Sequence, residues 1–358
     1  MVSRKIKNSS KPTRRNAVGL TPIKTEEEED KLLHDYEKSK PLQLTLFEFA
    51  QPANKNFSNT VEVYDFMPKF VWGKRNRVNN MFLESVEREF ECRGIKYTIE
   101  IAPARLKTRT GQVREFFPGI SEELVEDALR RLATTGKGTF LDDEAGIVFT
   151  LYELQQELKE RGHSKSYDEL KDSIRILHGT KIILKNADSN LETGFSPIQS
   201  YGFKGEGEET HTFVRFSPLV TKAIKEGSFR LVNYEVVMSY KNVIARQLHK
   251  RMSHHFTQAN LTQPYHLLLS TIVRDFGLTK RPNPSRNLQD VVKSLEEMKQ
   301  KNVLMSYRIE EIRGGKRNKL IEAKLILTPY MDFVRETKYR NKRRAEIMEV
   351  LGQEVSDS

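Results

Sequence analysis

Phe213-Val214-Arg215-Phe216-Ser217-Pro218 and Leu325-Ile326-Leu327-Thr328-Pro329 decide how this chain is read. Each is an apolar strand that runs into a hydroxyl residue and a proline, and proline cannot donate to a strand ladder. Upstream of each, the order of elements is the same: two helices, then a hairpin. Behind Pro329, strands at Val303 to Ile309 and Leu320 to Leu327 flank Arg313-Gly314-Gly315-Lys316-Arg317-Asn318-Lys319, a tip with four cations in seven residues. Before them, Asn283 as cap and Pro284 at the first helical position open the best-patterned helix of the chain. Its core face is Leu288, Val291, Val292, Leu295 and Met298, and its other face carries Arg286, Asp290 and Lys293. A strand from Tyr265 to Leu269 leads into a helix capped by Ser270. Earlier still, a helix near Ser239 buries Ile244, Leu248 and Met252 and is expected to expose Lys241, Arg246, Lys250 and Arg251.

The copy that ends at Pro218 is built alike. Thr150 with Glu153 and Ser166 with Glu169 are capping boxes, in which hydroxyl and carboxylate satisfy each other's free backbone N–H groups, so each opens a short helix. The second helix buries Leu170, Ile174 and Leu177 and turns Asp168, Lys171, Asp172 and Arg175 outward. Strands at Lys181 to Leu184 and Thr212 to Phe216 are predicted to pair across a long polar loop. Ser121 is expected to cap a helix with Leu124, Val125, Ala128, Leu129 and Leu132 on one face, Asp142 to Gly146 to be a turn, and Glu87 to Cys92 with Lys96 to Ile101 to be an extra hairpin. The fold class is therefore α+β: two tandem winged-helix domains. Such a module places one helix where it can enter a major groove, beside a basic hairpin, and two of them suit a long stretch of duplex.

With 358 residues the chain is long enough for two domains and tails. The net charge of +11 is uneven, because Arg4, Lys5, Lys7, Lys11, Arg14, Arg15 and Lys24 precede any acidic residue and leave +4 for the rest. A DNA face must come from local placement of charge. The single cysteine, Cys92, excludes an internal disulfide and a cysteine-based zinc site and fits a reducing cytoplasm. No run of about 18 apolar residues is present, so no membrane partner is expected. The boundaries read as a disordered N-terminal arm over 1–59, an N-terminal winged-helix domain with the extra hairpin over 60–232, a C-terminal DNA-binding winged helix over 233–340 and a charged tail over 341–358.

The DNA-binding set predicted for the second module is Arg286, Asn287, Lys293, Arg313, Lys316, Arg317 and Lys319, with Lys241, Arg246, Lys250 and Arg251 from the helix before it. In the first module Lys171 and Arg175 sit beside Asp168 and Asp172; a weaker DNA contact and dimerisation are both open there. His249, His254 and His255, at spacings of five and one, do not place two imidazoles on one helix face as a zinc site needs, and are read as surface or DNA-backbone residues. Gly136-Lys137-Gly138 lacks the other residues of a phosphate-binding loop, and the acidic run at Asp142, Asp143 and Glu144 reads as a solvated turn. No catalytic constellation, metal site or cofactor motif emerges, so the chain is expected to bind and not to catalyse.

The runs Val125 to Ala133, Phe213 to Val220 and Met238 to Met252 resemble the replication initiator protein A family of broad-host plasmids, and the two-module plan with a basic second wing resembles iteron-binding initiators generally. The similarity spans about residues 60 to 335. It implies a bacterial protein that binds directly repeated origin sites, opens an adjacent A·T-rich segment and recruits host initiator, helicase and polymerase machinery. Within the arm, Gln43-Leu44-Thr45-Leu46-Phe47 resembles the pentapeptide that docks on the polymerase sliding clamp, with Leu46 and Phe47 for an apolar pocket and the Gln43 amide at its rim. The alternative from another class is a winged-helix repressor or autoregulator on an operator, which needs no clamp peptide.

Overall fold

The computed structural model describes residues 57–73, 83–107, 111–186, 189, 191–205, 207, 210–278, 284–315 and 317–356. The sliding-clamp-like peptide with Gln43, Leu44, Leu46 and Phe47, the rest of the arm to residue 56, the helix cap at Asn283 and the wing-tip Lys316 lie outside them. Among the described residues no helix is long and apolar enough to cross a membrane.

The chain is mixed α and β. Strand β1 (Phe57–Val61) and helix α1 (Glu62–Phe66) come first, then β2 (Val86–Cys92), β3 (Ile95–Ala102), β4 (Ala104–Lys107) and β5 (Val113–Phe116). The expected hairpin at Arg93-Gly94 is present, both residues with positive φ. Helix α2 (Ile120–Leu132) starts one residue before Ser121, because Gly119 stands at its N-cap and donates its N–H to Glu122 Oε2 at 2.8 Å. Strands β6 (Gly138–Leu141) and β7 (Glu144–Thr150) close on a two-residue turn at Asp142 and Asp143, both at positive φ, narrower than the turn read from sequence.

Both capping boxes form: Thr150 opens α3 (Leu151–Lys159) and Ser166 opens α4 (Tyr167–Gly179). The long loop expected after β8 (Lys181–Asn186) contains two further strands, β9 (Leu191–Phe195) and β10 (Ile198–Lys204), before β11 (His211–Phe216). The predicted pairing of 181–184 with 212–216 therefore does not occur. β8 pairs with β3 and β9, giving a sheet of order β2-β3-β8-β9, while β11 pairs with β7 and β10 in the order β10-β11-β7-β6. Phe195 and Ile198 are buried where the two sheets meet the core, but the polar residues and Gly194 and Gly202 around them break the alternation that marks a strand.

Helix α5 (Pro218–Lys225), β12 (Phe229–Asn233) and α6 (Tyr234–Ser239) follow, with β12 antiparallel to β1. Helix α7 (Val243–His255) begins later than expected, capped by Asn242 Oδ1 on the N–H of Ile244 at 2.9 Å. Strand β13 (Tyr265–Leu268) leads into α8 (Leu269–Asp275), which has no side-chain cap of its own; the carboxylate of Glu322 accepts from the N–H of Ser270 at 3.2 Å instead. Helix α9 (Pro284–Gln300) precedes β14 (Leu304–Gly314) and β15 (Lys319–Pro329), which form with β13 a sheet of order β13-β15-β14. The ribbon is longer than its apolar core, so Arg313 belongs to β14 and the turn is reduced to 315–318.

Two apolar clusters result. The first joins α2, α3, α4 and both four-stranded sheets around Leu129, Ile147 and Leu177; the second joins α7, α8, α9 and the three-stranded sheet around Leu248, Val291 and Leu325. Side chains of this size buried completely contribute about 1.5–3 kcal/mol each. The segment expected as a charged tail from 341 is helical, part of α10 (Met331–Ser356). That helix puts Phe333 and Val334 into the second cluster and Ile347 into the first. Its charged residues mask two apolar anchors too far apart to read as one face.

Candidate nucleic-acid interface

Helix α9 owes its position to its own sequence. Leu288, Val291, Leu295 and Met298 recur at helical spacing and are buried, which leaves Arg286, Gln289 and Lys293 along the exposed side. Asn287, expected on that side, is only 5% exposed. It stands one turn before Val291, on the stripe that faces the core, so it is withdrawn from the groove-reading set. Lys293 lies 4.0 Å from Asp290, a distance that leaves its ammonium to solvent.

Two contacts hold α9 in register with its neighbours. Glu297 accepts from the backbone N–H groups of Lys241 and Asn242 at 2.7 and 3.1 Å, so it covers the free donors at the start of α7. On the ribbon, the Tyr307 hydroxyl donates to Glu296 at 2.6 Å, tying β14 to the helix. Neither link was anticipated, since Glu296 and Glu297 read as an ordinary polar face. At the ribbon's end Arg317 and Lys319 are exposed. Arg313 is fixed: its Nε donates to Glu311 Oε2 at 2.6 Å and its Nη1 to the carbonyl of Asn318 at 3.2 Å, which holds the turn closed beneath it.

Helix α7 departs most from expectation. Lys241, before its start, is exposed, but Arg246, Lys250 and Arg251 are all buried. Arg246 directs Nε and Nη2 at Glu123 Oε2 of α2, at 3.1 and 3.0 Å, and gives a third bond to the carbonyl of Tyr240 at 2.9 Å. Gln247 donates to the other oxygen of Glu123 at 2.6 Å, and Lys250 bonds Asp127 at 2.6 Å. Burial alone would raise the Glu123 carboxyl; Arg246 and Lys250 outweigh it and hold that group below its ordinary range. Arg251 pairs with Asp275 at 2.8 Å, and Arg274 spans from Asp275 to Glu91 of β2. Arg246, Lys250 and Arg251 are therefore not on the surface, and Arg246 and Lys250, with the half-buried Arg274, join the two clusters of the molecule. The sequence misled because a helix packed on both sides by polar neighbours has the same pattern as one with a solvated face.

The histidines are corrected in the same way. His249 and His254 are buried and His255 stacks on Phe66. Burial, with Arg340 and Lys250 nearby, lowers His249 to about 3, and burial likewise lowers His254 to about 3, so both are neutral at pH 7. Tyr240 shares a hydrogen bond of 3.1 Å with His249 Nδ1. Among the described residues no group of three or more His, Cys, Asp or Glu is placed to hold a metal ion.

On α4 of the first half, Lys171 and Arg175 both lie over the ring of Phe203, at 5.7 and 5.6 Å, and Arg175 also pairs with Asp172 at 2.9 Å. These cations are half-buried and partly neutralised.

No protein-family model matches the chain, and no curated protein does either. Among solved structures it is similar to domains 2 and 3 of RctB, at 11% identity over 70% of this chain and 93% of that one with a TM-score of 0.43. A second structure of RctB domains 2–3 gives 12% identity and 0.40 over the same shares. The Pi initiator protein in complex with iteron DNA gives 13% identity over 65% of this chain and 98% of that one, with a TM-score of 0.43.

Proposed function

We propose that this chain initiates DNA replication of the plasmid type by binding repeated duplex sites through its C-terminal half. The two halves are winged-helix domains, at about 60–232 and 233–340, in which α9 enters a major groove and the β14–β15 ribbon is the wing. Arg286 and Lys293 face the groove, Lys316, Arg317 and Lys319 meet backbone or minor groove, and Lys241 touches phosphate. The single observation that carries this is the exposed side of α9, basic at Arg286 and Lys293, hydrogen-bonded through Glu296 to a ribbon that ends in Arg317 and Lys319. Replication, as against repression, rests on the family resemblance of 125–133, 213–220 and 238–252, and on the peptide Gln43 to Phe47, which docks on the sliding clamp in this reading. No catalytic step is assigned.

Selecting duplexes from a random library with the full chain should yield a short site that recurs as direct repeats in the DNA beside the gene. Arg286→Ala should relax the selected sequence more than it weakens binding to unrelated duplex. Equal loss on every sequence makes Arg286 a phosphate contact, and selection of no site at all ends the proposal. For the arm, Leu46→Ala with Phe47→Ala should abolish clamp affinity; unchanged affinity leaves the repressor reading in its place.

A further inference from the structure

The end of the ribbon is apolar as well as basic. Ile312 is 54% and Ile321 63% exposed, an unusual outlay of β-branched surface on a protruding hairpin. Their placement follows from a bulge. Ile312 faces Glu322 while its neighbour Arg313 faces Leu320, so β15 carries one residue more than β14 at this rung, and that residue is Ile321. Leu320 points inward and is buried, whereas the bulge turns Ile321 to the opposite side. There its Cδ1 stands 2.7 Å from where a Cβ on residue 314 would lie, a space open only because that residue is Gly314. Gly314 and Ile312, two apart on β14, share a face. Both isoleucines therefore occupy one side of the tip, with Arg317 and Lys319 at the turn beyond them; Glu322, opposite Ile312, turns its carboxylate to the N–H groups of Ser270 and Ala323, and Arg313 lies on the other face paired with Glu311.

We infer that Ile312 and Ile321 form a wedge that enters the minor groove and unstacks a base step, kinking the duplex under the wing. This rests on the DNA-binding reading above and assigns the wing a mechanical task within it. The charges select the occupant: an apolar tip that ends in the exposed cations Arg317 and Lys319, its nearest carboxylate Glu322 turned to the backbone, complements a groove whose walls are phosphate and whose floor is stacked bases. β-branched side chains suit the task because they are already stiff at χ1 and have little rotamer freedom to lose. Arg313, braced by Glu311 and by the Asn318 carbonyl, keeps the turn from yielding as the tip enters.

The experiment uses the full chain and its selected duplex, with 2-aminopurine placed in turn at each step beneath the wing and dyes at the two ends. Wild-type protein should raise the fluorescence at one step and shorten the end-to-end distance. Ile312→Ser with Ile321→Ser, exposed positions that leave the urea midpoint unchanged, should abolish both signals while Kd changes by less than about tenfold, or roughly 1.4 kcal/mol. A double variant that still unstacks the step overturns the wedge. So does wild-type protein that binds with no fluorescence change, which reassigns the tip to a protein or lipid partner while the DNA reading stands. If the folded variant fails to bind, a duplex with two unpaired bases at that step decides: restored binding supports the wedge, and continued failure refutes it. Wild-type protein that binds no duplex removes the underlying reading and the wedge together.

Discussion

Replacing Arg246 by Met should unfold the protein more readily without touching its grip on DNA. Arg246 is 1% exposed and supplies two of the bonds on Glu123 and the one described on the Tyr240 carbonyl. Removing it strands a fully buried carboxylate with only Gln247 at 2.6 Å and Lys250 at 3.6 Å. Breaking one side of a buried ion pair costs about 3–5 kcal/mol. An independent limit agrees. Glu123 can escape by taking up a proton, and from an ordinary carboxyl value of 4.5 that costs about 1.4 kcal/mol per pH unit, or roughly 3.4 kcal/mol at pH 7. The destabilisation should accordingly shrink as the pH is lowered toward 5. Urea titrations at several pH values measure it, and Glu123→Leu in the Arg246→Met background should recover most of the loss because the stranded charge is gone. A loss below about 1 kcal/mol, or a flattened salt dependence of DNA binding, would refute the buried-network account and return Arg246 to the surface.

His249 and His254 are held near 3 when folded against about 6.5 unfolded. The unfolded chain thus binds more protons below pH 6.5, and stability should fall on acidification by about 1.4 kcal/mol per unit for each histidine until pH nears 3; His249→Gln should remove about half of that slope in the unfolding curve. Asn287→Ala should lower the unfolding free energy by about 1–3 kcal/mol, the cost of losing a buried polar partner, while leaving the selected DNA sequence unchanged, and an altered sequence would put Asn287 back in the groove. Arg317→Ala with Lys319→Ala should reduce the slope of log affinity against log salt by about 1.8, near 0.9 per phosphate contact; an unchanged slope would remove the wing from the interface.

Local rules carried the sequence reading far. Paired hydroxyl and carboxylate residues located α3 and α4, and helical spacing located α9, because these signals act within a turn or two of chain. Arg93 with Gly94 located a hairpin, and the run from Asp142 to Gly146 a turn, for the same reason. What could not be read depended on partners distant in sequence. Arg246 and Lys250 look like surface cations until α2 brings Glu123 and Asp127 against them. Ser270 looks like a cap until Glu322 arrives from β15 to do that work. Strand β9 was hidden because its stability comes from pairing with β8 and not from its own alternation, and the exposure of Ile321 could not be read because a bulge is invisible in a pattern of period two.

Helix α10, anchored by Phe333 at one end and Ile347 near the other, gives the molecule a property of a ruler. That rod and the charges around Glu123 bridge the halves, so a site that is stretched or shortened would have to break these contacts to be followed. If α4 and α9 both meet one duplex, their offset is set by protein and must match an interval of DNA. Inserting about five base pairs, half a helical turn, between the two parts of a site would swing one part to the far side of the duplex. Inserting a full turn would restore the facing but not the distance. On that condition the spacing between the two parts of a site would be as strictly kept as their sequence.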